Sequence, residues 1–576
     1  MPSIPTLPRR TRALTLVAML ALACTGSTTP RTGATPAAAP APSQNTISGL
    51  SDRLVGVPVS TDGVFSVRTF GARGDGTTID SDAINRAIDA AAAAGGGTVV
   101  FPAGTYASHS IRLKSHVGLH LERGAVLLAA DTGGGRGYDP AEPGPGNAYQ
   151  DFGHSHWHNS LIWGENVEDV SITGPGRIDG KGLSRGLGGG AVDLDTRPGQ
   201  ANKAIALKRS RHVLLRDFTI FRGGHMAILL TGVDNVTVDN LTIDTNRDGL
   251  DVDACRNVRI SNTHVNAPND DAIVLKSSFA LGAPRATENV TITNSIVSGF
   301  DVGTVLDGTY GRTSTAAPDR DGPTGRIKFG TESNGGFRNI TISNVVFNRS
   351  RGLALETVDG GLLEDVTISN ITMREVSNAP IFLRLASRMR GPAGAAVGKL
   401  RRVTISNVTV YDADPRYPSM IVGIPNHPVE DVRLSNIRVY SRGGLSLETA
   451  AAQPANLVNN FFRPPGGNPP RDPYAVPERE AMYPEPSLFG VLPSYGFYVR
   501  HASNVRLDNV EVGFTSTDTR PAFVLEDVRG ADLHGVSART APNVPAVVLR
   551  DVEEIRVTHS APLRDTYVKR AARQSF

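Results

Sequence analysis

Cysteine is almost missing from this 576-residue chain: there are two, Cys24 and Cys255. Two cannot build a disulfide framework, and no zinc site resting on several Cys ligands is available. A surplus of charge is missing too. Lys and Arg total 59 against 56 for Asp and Glu, and Arg9, Arg10 and Arg12, ahead of Cys24, account for the difference. The rest of the chain has no electrostatic reason to seek nucleic acid or anionic lipid. Long apolar runs are scarce. Ala13 to Ala23 spans eleven residues, short of the roughly 20 that cross a bilayer. Hydrophobic residues are nevertheless 39% of the chain, enough for a sizeable core. Gly is abundant at 61 residues, a sign of many tight turns.

The three leading arginines and the apolar run read as a secretory signal over residues 1–23. The run ends Leu20-Ala-Leu-Ala-Cys24, loosely like a bacterial lipoprotein box, with Cys24 the expected lipidation site. Residues 24–60 are rich in Thr, Ala, Pro and Ser and read as a low-complexity linker. Secretion to the periplasm or cell surface follows, with membrane attachment only through that lipid.

One alternating phrase then recurs, ending in Asn and a further strand. It begins at Val236, Val258, Val290, Ile340, Val366, Val403, Val432 and Val505, with a degenerate copy at Val213. Strict alternation means strands buried on one face. A minimum step near 22 residues, with longer exceptions, describes a fixed coil carrying inserted loops. The expected fold is all-β, a single-stranded right-handed parallel β-helix over residues 61–565 with a C-terminal tail, 566–576. The recurring Asn should occupy the left-handed bend after a strand and stack into a ladder. Asn235, Asn289, Asn339, Asn370 and Asn407 also satisfy Asn-X-Ser/Thr, but as repeat positions. Ser81 to Ala94 reads as a capping helix, N-capped by Asp80 or Ser81 and stopped by Gly95-Gly-Gly97. Residues 441–495, rich in Pro and aromatics, interrupt the repeat as one long insert loop.

The chemistry gathers at two places one coil apart. Asn246-Arg-Asp248-Gly-Leu-Asp-Val-Asp253 precedes one repeat strand, and Asn269-Asp270-Asp271 precedes the next apolar strand. The 22-residue separation of Asp248 and Asp270 should stack them on adjacent coils, about 4.8 Å apart, with Asp271 beside them. Crowded carboxylates raise at least one pKa and set a protonated acid beside ionised bases, as glycoside hydrolysis requires. A calcium site and a solvated acidic ledge are the competing readings of the same residues.

Further segments carry a resemblance. Phe70-Gly-Ala-Arg-Gly-Asp-Gly, Gly95-Gly-Gly-Thr-Val-Val-Phe-Pro-Ala-Gly-Thr-Tyr106 and Ile172-Thr-Gly-Pro-Gly-Arg-Ile-Asp-Gly180, together with the two acidic motifs and Gly330-Thr-Glu-Ser-Asn-Gly-Gly336, resemble glycoside hydrolase family 28, the polygalacturonase and rhamnogalacturonase group. The resemblance spans roughly 65–440. It implies inverting hydrolysis of pectic uronic-acid polysaccharide, with Asp270 as general acid and Asp248 with Asp271 activating water. It implies no metal and no cofactor, and a monomer is expected. Two departures stand out. The family's Gly-His-Gly is replaced by Thr324 to Phe329, without His, and its Arg-x-Lys falls in Gly352 to Thr357, where Ala354 and Glu356 stand instead. Arg326-Ile-Lys328, one coil earlier, is the expected substitute grip on a uronate carboxylate.

Asn246, Asn269, His225 and Lys276 are further expected substrate contacts. Arg384, Arg388 and Arg390 read as a solvated basic stretch. His154, His156 and His158 read as cleft wall, since no companion ligand suits a metal. The inserts at 303–323 and 441–495 should close one end of the groove and favour attack on chain ends. A calcium-dependent polysaccharide lyase and a non-catalytic carbohydrate-binding solenoid are the alternative functions.

Overall fold

The computed structural model describes residues 62–132, 137–143, 147–150, 152–185, 198–317, 321–459 and 467–576. The expected signal, Cys24, the linker to residue 60, and Phe461 and Phe462 of the insert lie outside them.

Alternation builds the fold as expected. The described strands form one continuous, largely parallel sheet wound as a right-handed β-helix. A minimal coil has three short strands: Met226–Thr231, Asp234–Asp239 and Thr242–Asp244. Each pairs with its counterpart 22 residues on, as Met226 with Asp248, Val236 with Val258 and Ile243 with Val265. From Thr287 onward, two of the three strands fuse around the bend into one long strand, such as Thr287–Ser298 and Phe337–Asn348.

One wall of the helix carries the site. Its strands are β1 (Ser160–Glu165), β2 (Lys203–Lys208), β3 (Met226–Thr231), β4 (Asp248–Asp253), β5 (Ile273–Ser277), β6 (Ile327–Ser333), β7 (Leu353–Thr357), β8 (Ile381–Leu385), β9 (Ser419–Val422) and the start of β10 (Phe497–Ser516). Inward, Ile162, Ile205, Ile228, Leu250, Ile273, Ile327, Leu353 and Ile381 stack in register. All are essentially fully buried, and each such side chain contributes about 1.5–3 kcal/mol of transfer free energy. Outward, the next position along reads Ala206, Leu229, Asp251, Val274, Lys328, Ala354, Phe382, Met420 and Tyr498. This face is covered as well. Tyr474, Val476, Phe489 and Leu492 of the insert pack on Phe382, Met420 and Tyr498.

The bends are held by asparagine. Asn294, Asn344, Asn370, Asn407, Asn436 and Asn509 all have φ between 51° and 57°. Each donates its side-chain amide to the one before, at 2.9–3.2 Å. Asn235, Asn257, Asn289 and Asn339 form a second ladder.

Both ends of the stack are covered. Helix α1 (Ser81–Ala93) buries Ile84, Ala87, Ile88 and Ala91 on the first coils. Asp80 sits at its N-cap but bonds elsewhere: its carboxylate accepts from the N–H groups of Arg73 and Gly74, at 2.8 and 2.9 Å. At the other end, the segment expected as a tail is a strand, Thr566–Ser575, paired antiparallel with Val547–Thr558.

Candidate active site

The acids stand at the turn that feeds β4 and β5. Leu250 pairs with Ile273 and Asp251 with Val274, a step of 23 residues rather than 22. The extra residue makes Asp271, not Asp270, the coil neighbour of Asp248, and the Gly249 N–H donates to the Asp271 carbonyl at 3.0 Å. A side chain at Gly249 would meet Val265 Cγ1 at 2.3 Å and the Ala272 carbonyl at 2.5 Å, so the turn closes only with glycine there. One oxygen each of Asp248, Asp270 and Asp271 lie within 4.8 Å of one another. That is closer than the roughly 6.5–9.5 Å usual between carboxyls of an inverting pair. It is a span that a single water with two hydrogen bonds of about 2.8 Å can bridge. Asp248 and Asp271 are buried, whereas the Asp270 side chain is 23% exposed and paired with Arg247.

The three carboxyls sit in unlike environments. Burial, then the charges of Asp270 and Asp251, push Asp248 well above the ordinary carboxylate range. Burial acts on Asp271 in the same direction but is overcome by Arg326, Lys328 and Lys276, which hold it well below that range. Arg326 Nε donates to Asp271 at 2.6 Å and Lys328 Nζ lies 3.5 Å away. In the empty site the proton therefore rests on Asp248 and the charge on Asp271.

Asp251, fully buried one strand position inward from the cleft, is also pushed well up by burial. Neither of its oxygens has a hydrogen-bond partner. Lys276 Nζ stands 3.8 Å from Asp251 and 3.2 Å from Glu332. His154 Nε2 lies 3.9 Å from both Asp248 and Asp251, and burial and Lys276 drive the imidazole well below its ordinary pKa, so it is neutral. His154, Asp248 and Asp251 form a ligand set of metal-binding type, as do Asp248, Asp270 and Asp271. Lys276 already supplies positive charge beside the first set.

The other expected residues divide. Asn269 donates to Asn246 at 2.6 Å and Asn246 to the Arg185 carbonyl at 2.8 Å, so both brace the acid turns. His225 is buried edge-to-face against His154, ring centres 6.1 Å apart. Lys276 faces the acids, as expected. Arg326 and Lys328 share a strand face, but the expectation of an open cationic grip is corrected. Arg326 is 4% exposed and bonded to Asp271 and Glu485. Lys328 is bonded to the Tyr483 hydroxyl at 2.9 Å and lies 3.8 Å from Glu356. Glu356 is fully buried, and burial, partly offset by Lys328 and Arg326, moves it up to about 7.

The basic stretch is not solvated either. Arg384 is buried, donating to the carbonyls of Gly423 and Glu478, and Arg388 pairs with Asp359. The three histidines diverge: His154 turns to the acids, His156 is buried against Ser155, and His158 stacks on Trp163 and bonds Glu165.

Sequence reasoning missed His154, Asp251 and Glu332 as neighbours of the acids, and Tyr483 and Glu485 of the insert altogether. Asp251 carried a signal, an acid at an outward strand position whose neighbours are apolar. Glu485 carried none, because its partners Arg326, Arg351 and Asn378 are more than 100 residues away.

Residues 146–308 match the family model described as glycosyl hydrolases family 28, and residues 64–122 that described as rhamnogalacturonase A/epimerase, pectate lyase-like. Over 413 residues, 65% of this chain and 74% of the relative, the chain is 25% identical to a "Probable polygalacturonase" of Vitis vinifera. Over 195 residues, 33% of this chain and 25% of the relative, it is 35% identical to the Plasmin and fibronectin-binding protein A of Streptococcus pneumoniae. The solved Family 28 exopolygalacturonase of Yersinia enterocolitica superposes with a TM-score of 0.56 at 18% identity, over 88% of this chain and 80% of that one.

Proposed function

This chain carries a glycosyl hydrolase family 28 domain and is a polygalacturonase-like glycoside hydrolase; from that premise we propose that it is secreted and cleaves pectic polysaccharide from a chain end, by inverting acid–base hydrolysis. The observation that carries the reading is the triad itself: three carboxyls within one water's span, two buried and held in opposite protonation states, the third open to solvent.

Asp270, the accessible member, donates a proton to the glycosidic oxygen. Asp248, loaded by burial, supplies that proton to Asp270 as the sugar displaces Arg247. The carboxylates of Asp248 and Asp271 then hold a water between them and take its proton as its oxygen attacks the anomeric carbon. One proton leaves with the departing hydroxyl and one is recovered from water, so the triad returns to its starting charge. Chain-end attack is supported by the insert, whose Tyr483 and Glu485 lie over the trough on the Asp271 side.

The test is a product assay on homogalacturonan, rhamnogalacturonan and their oligomers, with the anomeric configuration of the first product followed by NMR. Single sugars or short oligomers released with inverted configuration are expected. An ultraviolet-absorbing unsaturated product lost in chelator indicates a lyase instead. Binding without turnover that survives Asp270→Asn indicates a carbohydrate-binding solenoid.

A further inference from the structure

The trough beyond Asp271 is a row of cations that the chain itself has matched. Arg326 leads into β6, Lys328 lies within it, Arg351 precedes β7 and Asn378 precedes β8. They lie along one wall within two coils of Asp271, about 10 Å. Left to the coils alone, this patch would be an anion site. The insert fills it. Glu485, 1% exposed, accepts from Arg326 at 3.1 Å, from Arg351 at 3.4 Å and from Asn378 at 2.9 Å. Tyr483 tops Lys328 at 2.9 Å, and Glu356 lies beneath it. Around the remainder of the site Arg247 faces Asp270, Lys276 and Arg390 face Glu332, and Arg388 faces Asp359. Every one of these cations already opposes a carboxylate.

We propose that Glu485 is the specificity-determining residue of this hydrolase, and that it reserves the subsite beside Asp271 for a sugar without a charged carboxylate. A buried carboxylate in a charge-matched patch rejects a second one by repulsion, and discrimination then comes from the repulsive element more than from any attractive contact. Two pectic sources have the required chemistry: a neutral 6-deoxyhexose alternating with uronides, or a uronide whose carboxyl is methyl-esterified. An unesterified uronide at that position is disfavoured.

This inference rests on the pectic reading above, so its test reads binding separately from turnover. Isothermal titration of the Asp270→Asn protein uses three oligosaccharides of equal length: all unesterified uronide, fully methyl-esterified uronide, and uronide alternating with deoxyhexose. At least one of the latter two should bind about tenfold or more tighter than the first, and which one does identifies the source. Adding Glu485→Gln should close that gap about tenfold by tightening the unesterified uronide, while Glu485→Asp, which keeps the charge, retains the original order. Thermal melting checks that each variant is folded. Tightest binding to the unesterified uronide, or an order that Glu485→Gln leaves unchanged in a folded protein, overturns the proposal. Wild-type turnover on the same three chains reports on the hydrolase reading alone: selective binding without cleavage sinks that reading and leaves this one standing.

Discussion

Replacing Arg326 by Gln removes the principal cation that keeps Asp271 ionised. The guanidinium bonds Asp271 at 2.6 Å and Glu485 at 3.1 Å, and all three side chains are 5% exposed or less. Breaking a buried pair by deleting one partner costs about 3–5 kcal/mol, because the other charge is left uncompensated. Lys328 remains 3.5 Å from Asp271, so a loss near the lower end, about 3 kcal/mol, is expected. The sign with pH follows from the direction of the shift. Asp271 lies below its unfolded value, so its contribution to stability is present above that value and lost as pH falls through the folded one. In the variant, burial acts with less opposition and the carboxyl protonates at higher pH. The acid limb of the kcat profile, which reports ionisation of the base in the complex, should move to higher pH, by one unit or more. Urea unfolding measures the first effect, and reducing-end release on a pectic oligomer across pH 3–8 measures the second. A folded variant whose acid limb coincides with wild type refutes the placement of charge on Asp271.

Asp270→Asn should lower turnover by about two to four orders of magnitude, the usual contribution of a general acid, with the melting temperature nearly unchanged because its ion pair with Arg247 is partly solvated; steady-state kinetics and melting check both. Glu356, moved up to about 7 by burial, costs the native state stability as pH rises from the unfolded carboxylate value through 7, by about 3 kcal/mol in all. Glu356→Gln should flatten the dependence of unfolding free energy on pH between 5 and 8. Asn407→Ala removes a residue suited to φ 55° and two ladder bonds, to Asn370 and from Asn436. About 1–2 kcal/mol of destabilisation is expected, read by denaturant unfolding with activity retained.

The coil was legible because its signal is local and repeated. A side chain that alternates in and out, followed by an Asn that tolerates a left-handed bend, announces itself wherever Val290 or Val403 begins a copy. The meeting of Asp248 with Asp270 and Asp271 was legible for the same reason, being one coil apart. Which acid faces which was not. A single added residue in the turn before Ile273 shifts the register from 22 to 23, and periodicity does not reveal where within a turn an extra residue falls. The protonation pattern was hidden further still. It depends on Arg326, Lys328 and Glu485, which reach Asp271 only when a loop and a distant coil close on it. Arg326 and Lys328 looked like a substrate grip because a sequence shows charges without showing what neutralises them.

The closing strand, Thr566–Ser575, runs against the direction of every coil beneath it and is rich in Lys569, Arg570 and Arg573. A parallel stack ending in a bare edge would invite the first rung of another molecule and string into filaments. Reversing the final rung and lining it with positive charge presents a neighbour with the wrong polarity and mutual repulsion, so a fold that could lengthen without limit ends as a discrete particle.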